Sequence, residues 1–217
     1  MCRATIVALY IVGGPSAWAW APSQQSEANG SWHTIDSRHR LAVSDDARYE
    51  EHDKMAELND GALLLEENGG YSLQMPLSEV NPRSHSLIFA RAAGGCDHIF
   101  VLLGNAFVKV GRHVSQLHAG EELVVADHET KPAELISRLY QDDNIGRRRL
   151  QMDSLPGNRS IGMVEFSLVQ AVEREPMIYK IMHSSDPHDR SLRDRLIKMA
   201  AVLNLVTGSH GMYIPGR

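Results

Sequence analysis

Between Gly61 and Asp127 the chain sustains no helical period; it runs in short apolar segments broken by glycine and other turn residues. Tyr71, Leu73 and Met75 alternate with Ser72 and Gln74, Leu87 and Phe89 share one parity, and Ile99, Val101 and Leu103 share another. Successive side chains of a strand point to opposite faces, so a period of two marks strands with one buried face. Gly104-Asn105 separates the run His98 to Leu103 from Ala106 to Val110, and Gly111-Arg112 separates that run from His113 to Leu117. Two-residue breaks of this composition close tight antiparallel hairpins. With a further turn at His118-Ala119-Gly120 ahead of Glu122 to Ala126, about seven or eight short strands fit, spaced as in a sandwich, roll or barrel.

After Asp127 the pattern becomes helical. Pro132 to Tyr140 suits a short helix, and Gln141 to Asn158 reads as a polar linker. Met163 to Glu173 and Met177 to Met182 form two runs interrupted at Pro176, which ends or kinks a helix. The last helix has the clearest signals: Asp186 to cap it, Pro187 in its first turn and Gly208 to stop it. Leu192, Leu196, Met199, Ala200, Leu203 and Val206 recur at helical spacing opposite Arg193, Asp194 and Lys198, a packing face. The expected fold class is therefore mainly β with α: a compact antiparallel β domain, a sandwich or roll, followed by a C-terminal segment of two or three helices.

The first residues, MCRATIVALYIVGGPSAWAWA, place one cation, an apolar stretch, a Gly-Gly-Pro breaker and small residues in the order of an export signal, with cleavage expected after Ala19. From Pro22 to about Asn59 the chain is polar and irregular. The expected organisation is a signal peptide over 1–19, a polar disordered tether over 20–56, the β domain over 57–127, a short helix and linker over 128–160, and a helical region over 161–217. Cleavage would leave Cys96 as the sole cysteine, so stability is expected from a packed core rather than a disulfide. No apolar run approaches the roughly 20 residues that span a bilayer.

The formal net charge of -5 argues against bulk nucleic-acid binding. It is a difference between unlike parts. Trp20 to Ile145 holds ten basic and twenty acidic side chains, and Gly146 to Arg217 eleven basic and seven acidic. An acidic head and a basic tail predict that the tail docks on its own head or meets an anionic partner.

The run ELNDGALLLEENGGYSLQMPLSEV, then HSLIFARAAGGCDHIFVLLGNAFVKV, then GRHVSQLHAGEELVV resembles the extracytoplasmic domain of the FecR family. Gly61, Pro76, Gly104, Val108, Val110, Leu117, Ala119, Gly120 and Glu121 stand at the matching places, over roughly a third of the chain. The resemblance implies a β-rich domain outside the cytoplasm that senses or binds rather than catalyses. Full regulators of that family carry a cytoplasmic segment and a membrane helix through which they control a sigma factor; here a cleavable signal is expected in their place.

The rival reading is a metal-dependent cupin-type enzyme acting on a small molecule. Cupin sites need a His-x-His pair that this chain lacks, and His113 and His118, an odd number of positions apart, would face opposite sides of one strand. Cys96 and His98 share parity, and His128 adjoins Glu129, leaving one conceivable set of ligands. Ser185, Asp186 and His188, and likewise Ser209-His210, are triad residue types without a nucleophile elbow. The acid pairs Asp45-Asp46, Glu121-Glu122 and Asp142-Asp143 read as solvated turns.

The sequence thus predicts an exported, periplasmic or secreted, non-enzymatic module that binds a protein or envelope component, without a cofactor, catalytic residue or metal. Partner contacts are expected at exposed strand edges, at the hairpin tips near Asn105 and Arg112, and at the basic cluster Arg147, Arg148 and Arg149.

Overall fold

The fold comes from a computed structural model and is described for residues 32–35, 38–127, 151–155, 159–166 and 168–207. Its strands are β1 (Trp32–Thr34), β2 (Arg40–Val43), β3 (Arg48–His52), β4 (Met55–Glu67), β5 (Ser72–Gln74), β6 (Glu79–Pro82), β7 (Ser86–Ala93), β8 (Cys96–Leu103), β9 (Asn105–Val110), β10 (His113–His118), β11 (Glu121–Ala126), β12 (Gln151–Leu155) and β13 (Arg159–Glu165). Three helices follow: α1 (Leu168–Arg174), α2 (Pro176–His183) and α3 (Pro187–Thr207). The chain is mainly β with C-terminal helices, as its sequence predicts.

The strands form one ladder folded on itself at β4. The first half of β4 lies between β3 and β5, and its second half between β2 and β7. One sheet runs β1-β2-β4-β7-β8-β11-β13-β12, and the other runs β3-β4-β5-β6-β9-β10. Gly61 marks the place where β4 passes between them. It adopts φ +88, and a Cβ there would sit 2.6 Å from the Ala47 Cα, because the β2–β3 connection crosses β4 at that point. Only glycine meets both demands.

Two cores result. Leu41, Leu63, Leu65, Ile88, Ile99, Val101, Leu123 and Val125 face the second sheet, where Leu58, Leu73, Val80, Val108 and Leu117 meet them. Residues of opposite parity, Leu64, Phe89, Phe100 and Leu102, pack under Ile178, Ile181, Leu192 and Leu196 of the helices. The first sheet is thus the middle of three layers, which explains why its strands read as near-continuous apolar runs (ALLL, LIFA, IFVLL, LVVA) while β9 and β10 alternate.

Several sequence expectations change. The stretch 20–56 was expected to be a tether, yet β1, β2 and β3 lie within it. Their short length hides them: four residues of β2 show a buried pair, Leu41 and Ala42, and no period. The expected linker and helix over 151–165 is the antiparallel pair β12–β13, which extends the middle sheet beyond β11. Eight strands, β4 to β11, fill 55–126, in keeping with the sequence estimate, but β4 and β5 pair in parallel. Gly104-Asn105 does not close a hairpin. It is a corner by which the chain leaves β8 in one sheet for β9 in the other, and β9 pairs with β6 and β10.

The helical signals fare better. The Asp186 carboxylate accepts from the His188 and Asp189 backbone N–H groups at 2.8 and 3.4 Å, Pro187 opens α3, and Pro176 opens α2. Leu192, Leu196 and Ala200 are buried, and Met199 packs against the same core. Gly208, the segment 1–31, Pro132 to Tyr140 and the pair Ser209-His210 lie outside the described residues. Among the described residues no helix is long and apolar enough to cross a membrane.

Candidate binding surface

The charged side chains with the most chemical potential are spent between layers. On the helix-facing side of the middle sheet, the fully buried Glu122 of β11 accepts two bonds from Arg174 of α1, at 3.1 and 3.2 Å, and lies 3.1 Å from His98 Nδ1 of β8. Beside it Arg91 of β7 donates to Glu175, between α1 and α2, at 2.6 Å. Burial alone would push the Glu122 carboxyl up, but the His98 bond and the Arg174 charge outweigh it and hold it at about 2. Glu175 stays above the ordinary carboxylate range because burial outweighs Arg91. At the other end of the layer, Glu66 of β4 meets His188 and Arg195 of α3, each at 3.0 Å, and the Trp32 indole donates to Asp189 at 2.6 Å.

Head and tail therefore dock through opposite charges, as their composition predicts, with Arg91–Glu175 running the other way. The sequence reading of Glu121-Glu122 as a solvated pair is corrected: Glu122 is an interlayer ion-pair member. Parity was the available signal, since Glu122 shares the face of Val124 in β11. Asp45 and Asp46 do sit exposed in the β2–β3 turn; Asp142-Asp143 lie outside the described residues.

On the opposite face of β8, Asp97 closes the end of the inner core. Its Oδ2 accepts from the Leu77 N–H at 2.9 Å and the Ser78 hydroxyl at 2.6 Å, pinning the 75–78 turn that carries Pro76. Both donors are neutral, so burial dominates and raises this carboxyl to about 6. Two neighbouring buried carboxylates are thus shifted in opposite directions: at Glu122 the His98 bond and the Arg174 charge outweigh burial, whereas at Asp97 burial outweighs the Ser78 and Leu77 bonds and the His98 charge.

The conceivable metal ligands do not converge. His98 is engaged with Glu122, Cys96 is buried, His113 and His118 occupy opposite faces of β10, and His128 lies outside the described residues. Among the described residues no three His, Cys, Asp or Glu side chains are placed to hold a metal ion. Ser185, Asp186 and His188 form no triad either: Asp186 caps the helix and His188 faces Glu66.

Of the expected partner contacts, Arg112 is an exposed tip in the two-residue β9–β10 turn. Asn105 is not a tip. It is half-buried in the β8–β9 corner, where its carbonyl accepts from Ser86 Oγ and the Arg83 N–H at 2.8 and 2.9 Å. Gly104 before it adopts φ +73, and a Cβ there would lie 2.5 Å from Ser86 Oγ. Arg147, Arg148 and Arg149 lie outside the described residues.

What the sequence did not reveal is the opening beside Arg112. There β10 and the inner face of β11 and β13 part to leave a cleft of about 220 Å³, lined by His113, Val114, Ser115 and Gln116 on one wall and Leu123, Ile161 and Met163 on the other. Among the described residues β10 pairs as a strand with β9 alone. An open strand edge next to a partly apolar cleft is equipped to bind another chain.

Comparison with known protein families and with characterised proteins finds no match to this sequence. Among solved structures, two crystal structures of candidate anti-sigma factors from Parabacteroides distasonis are similar in part. One has a TM-score of 0.40 at 13% identity, covering 48% of this chain and 54% of that one, so the match spans about half of its neighbour. The other has a TM-score of 0.38 at 11% identity, covering 88% of this chain and 92% of that one.

Proposed function

We propose that this protein is an exported, FecR-like binding and sensing module of the bacterial cell envelope that recognises a protein or envelope-surface partner and catalyses no reaction. The observation that carries this reading is the division of labour among its polar groups. His98 and Arg174 with Glu122, Arg91 with Glu175, and Arg195 with Glu66 are paired across the layers, whereas the surface offers strand edges, the Arg112 turn and a cleft. The residues that resemble the FecR pattern support it further: Gly61 sits at the sheet crossing, Pro76 in the turn pinned by Asp97, Gly104 at the corner, and Ala119-Gly120 in the β10–β11 turn.

The test is capture from envelope extract with the full chain, comparing wild type with Arg112→Glu and with Arg147, Arg148 and Arg149 replaced together by Ser. Loss of a specific partner in either variant supports the reading; identical capture by all three opposes these contacts. Elemental analysis addresses the cupin alternative, for which stoichiometric iron, manganese or zinc would speak. Mass spectrometry of the native N-terminus addresses export, which an intact Met1 in the mature protein would exclude.

A further inference from the structure

We propose that the open edge of β10 pairs with the same edge of a second copy of this chain, in antiparallel register, to form a weak two-fold dimer. The inference does not depend on the proposed function.

The hairpin geometry sets which groups are available. With Gly111-Arg112 as a two-residue turn, Val110 and His113 form the closing bonded pair, so the bonds to β9 come from His113, Ser115 and Leu117. The backbone groups of Val114, Gln116 and His118 then point away from β9. The His118 N–H is already satisfied by the Glu121 carboxylate at 2.8 Å. Val114 and Gln116 remain, each with one donor and one acceptor aimed outward.

This edge also lacks the usual protection against pairing. Sheet edges are commonly guarded by charged residues or proline. The opposite edge of the same sheet, β3, carries Arg48, Glu50 and Glu51, whereas β10 reads His-Val-Ser-Gln-Leu-His, with Val114 57% exposed.

Two-fold antiparallel pairing matches the outward groups of Val114 and Gln116. Val114 would face the partner's Gln116 and Gln116 the partner's Val114, using the four outward donors and acceptors of these two residues once in each copy, with Ser115 beside the partner's Ser115 on the axis. The same register brings the cationic Arg112 of each copy to the end of the strand where the partner's Glu121 carboxylate lies. A parallel arrangement would set Arg112 against Arg112 and is disfavoured by like charge. Four backbone bonds and a small contact area make the association weak and concentration-dependent.

Sedimentation equilibrium of the full chain from about 10 µM to about 1 mM tests this. The expected result is a weight-average mass that climbs toward the dimer, an Arg112→Glu variant that associates about tenfold more weakly because two charge pairs turn repulsive, and partial recovery in the Arg112→Glu, Glu121→Arg double variant. A Ser115→Cys variant, with Cys2 and Cys96 changed to Ala, is expected to form an intermolecular disulfide under mild oxidation, since facing residues in a non-bonded antiparallel pair lie about 4.5 Å apart at Cα. Glu50→Cys in the same background, on the guarded edge, should not. A wild-type mass that stays monomeric throughout, or a dimer indifferent to Arg112→Glu and unlinked by Ser115→Cys, overturns the proposal.

Discussion

Asp97→Asn should remove a pH dependence whose sign is opposite to that of the cation-held Glu122. Asp97 is 1% exposed, and its two partners, the Leu77 N–H and the Ser78 hydroxyl, are neutral. Its carboxyl is raised from 3.8 to about 6, so between those values the folded protein binds a proton that the unfolded chain has released. Stability must then fall as pH rises through that window and level off above it. About two units at roughly 1.4 kcal/mol each gives close to 3 kcal/mol lost between pH 4 and pH 7.5. The asparagine amide keeps an acceptor for both donors but cannot ionise. The difference in unfolding free energy between D97N and wild type should therefore move by about 3 kcal/mol in favour of D97N across the same range. Urea unfolding at half-unit pH intervals, followed by far-ultraviolet circular dichroism, measures it. A difference that is flat with pH, or that grows in favour of wild type as pH rises, would refute the argument that burial outweighs the two bonds.

Glu122→Gln should behave in the reverse sense. With its carboxyl held at about 2 by His98 and Arg174, its contribution is present above the ordinary carboxylate range and fades as pH falls toward 2, so the variant should lose about 3–5 kcal/mol at pH 7 and much less near pH 2; a loss below about 0.5 kcal/mol at pH 7 would contradict the ion pairing. Gly61→Val should cost more than about 3 kcal/mol in the same assay or prevent folding, since its Cβ would strike the Ala47 backbone at a positive φ; near-wild-type stability would show that the crossing can widen. Leu196→Ala, under the middle sheet, should lower stability by about 2–5 kcal/mol, and a loss under about 1 kcal/mol would mean that the helices contribute little to the cooperative unit.

Much of the β architecture was legible because its signals are local. The alternation of Tyr71, Leu73 and Met75, the Gly111-Arg112 turn and the Asp186-Pro187 helix start each depend on a few consecutive residues, and each is where the sequence places it. The errors share one cause. Gly104-Asn105 has the composition of a hairpin turn, but whether a chain turns back on the same sheet or crosses to another is decided by which strand is waiting, here β6 and β10 rather than β8. β1 to β3 were missed because three to five residues among charged neighbours show no period until β4 is there to pair with them.

The candidate binding surface was less legible. Arg112 was identified from its turn, but the cleft beside it depends on how far β10 stands from β11 and β13, which no run of residues encodes. By itself the sequence determined the strand and helix elements with strong periods, the caps and turns that bound them, and the opposed charges of head and tail. Only the tertiary structure decided which charges are buried. Glu122 and Arg174 are 52 positions apart, Arg91 and Glu175 are 84, and Glu66 and Arg195 are 129. Whether a carboxylate is a solvated surface group or an interlayer tie follows from what covers its face, and that cover is supplied by chain far away in sequence.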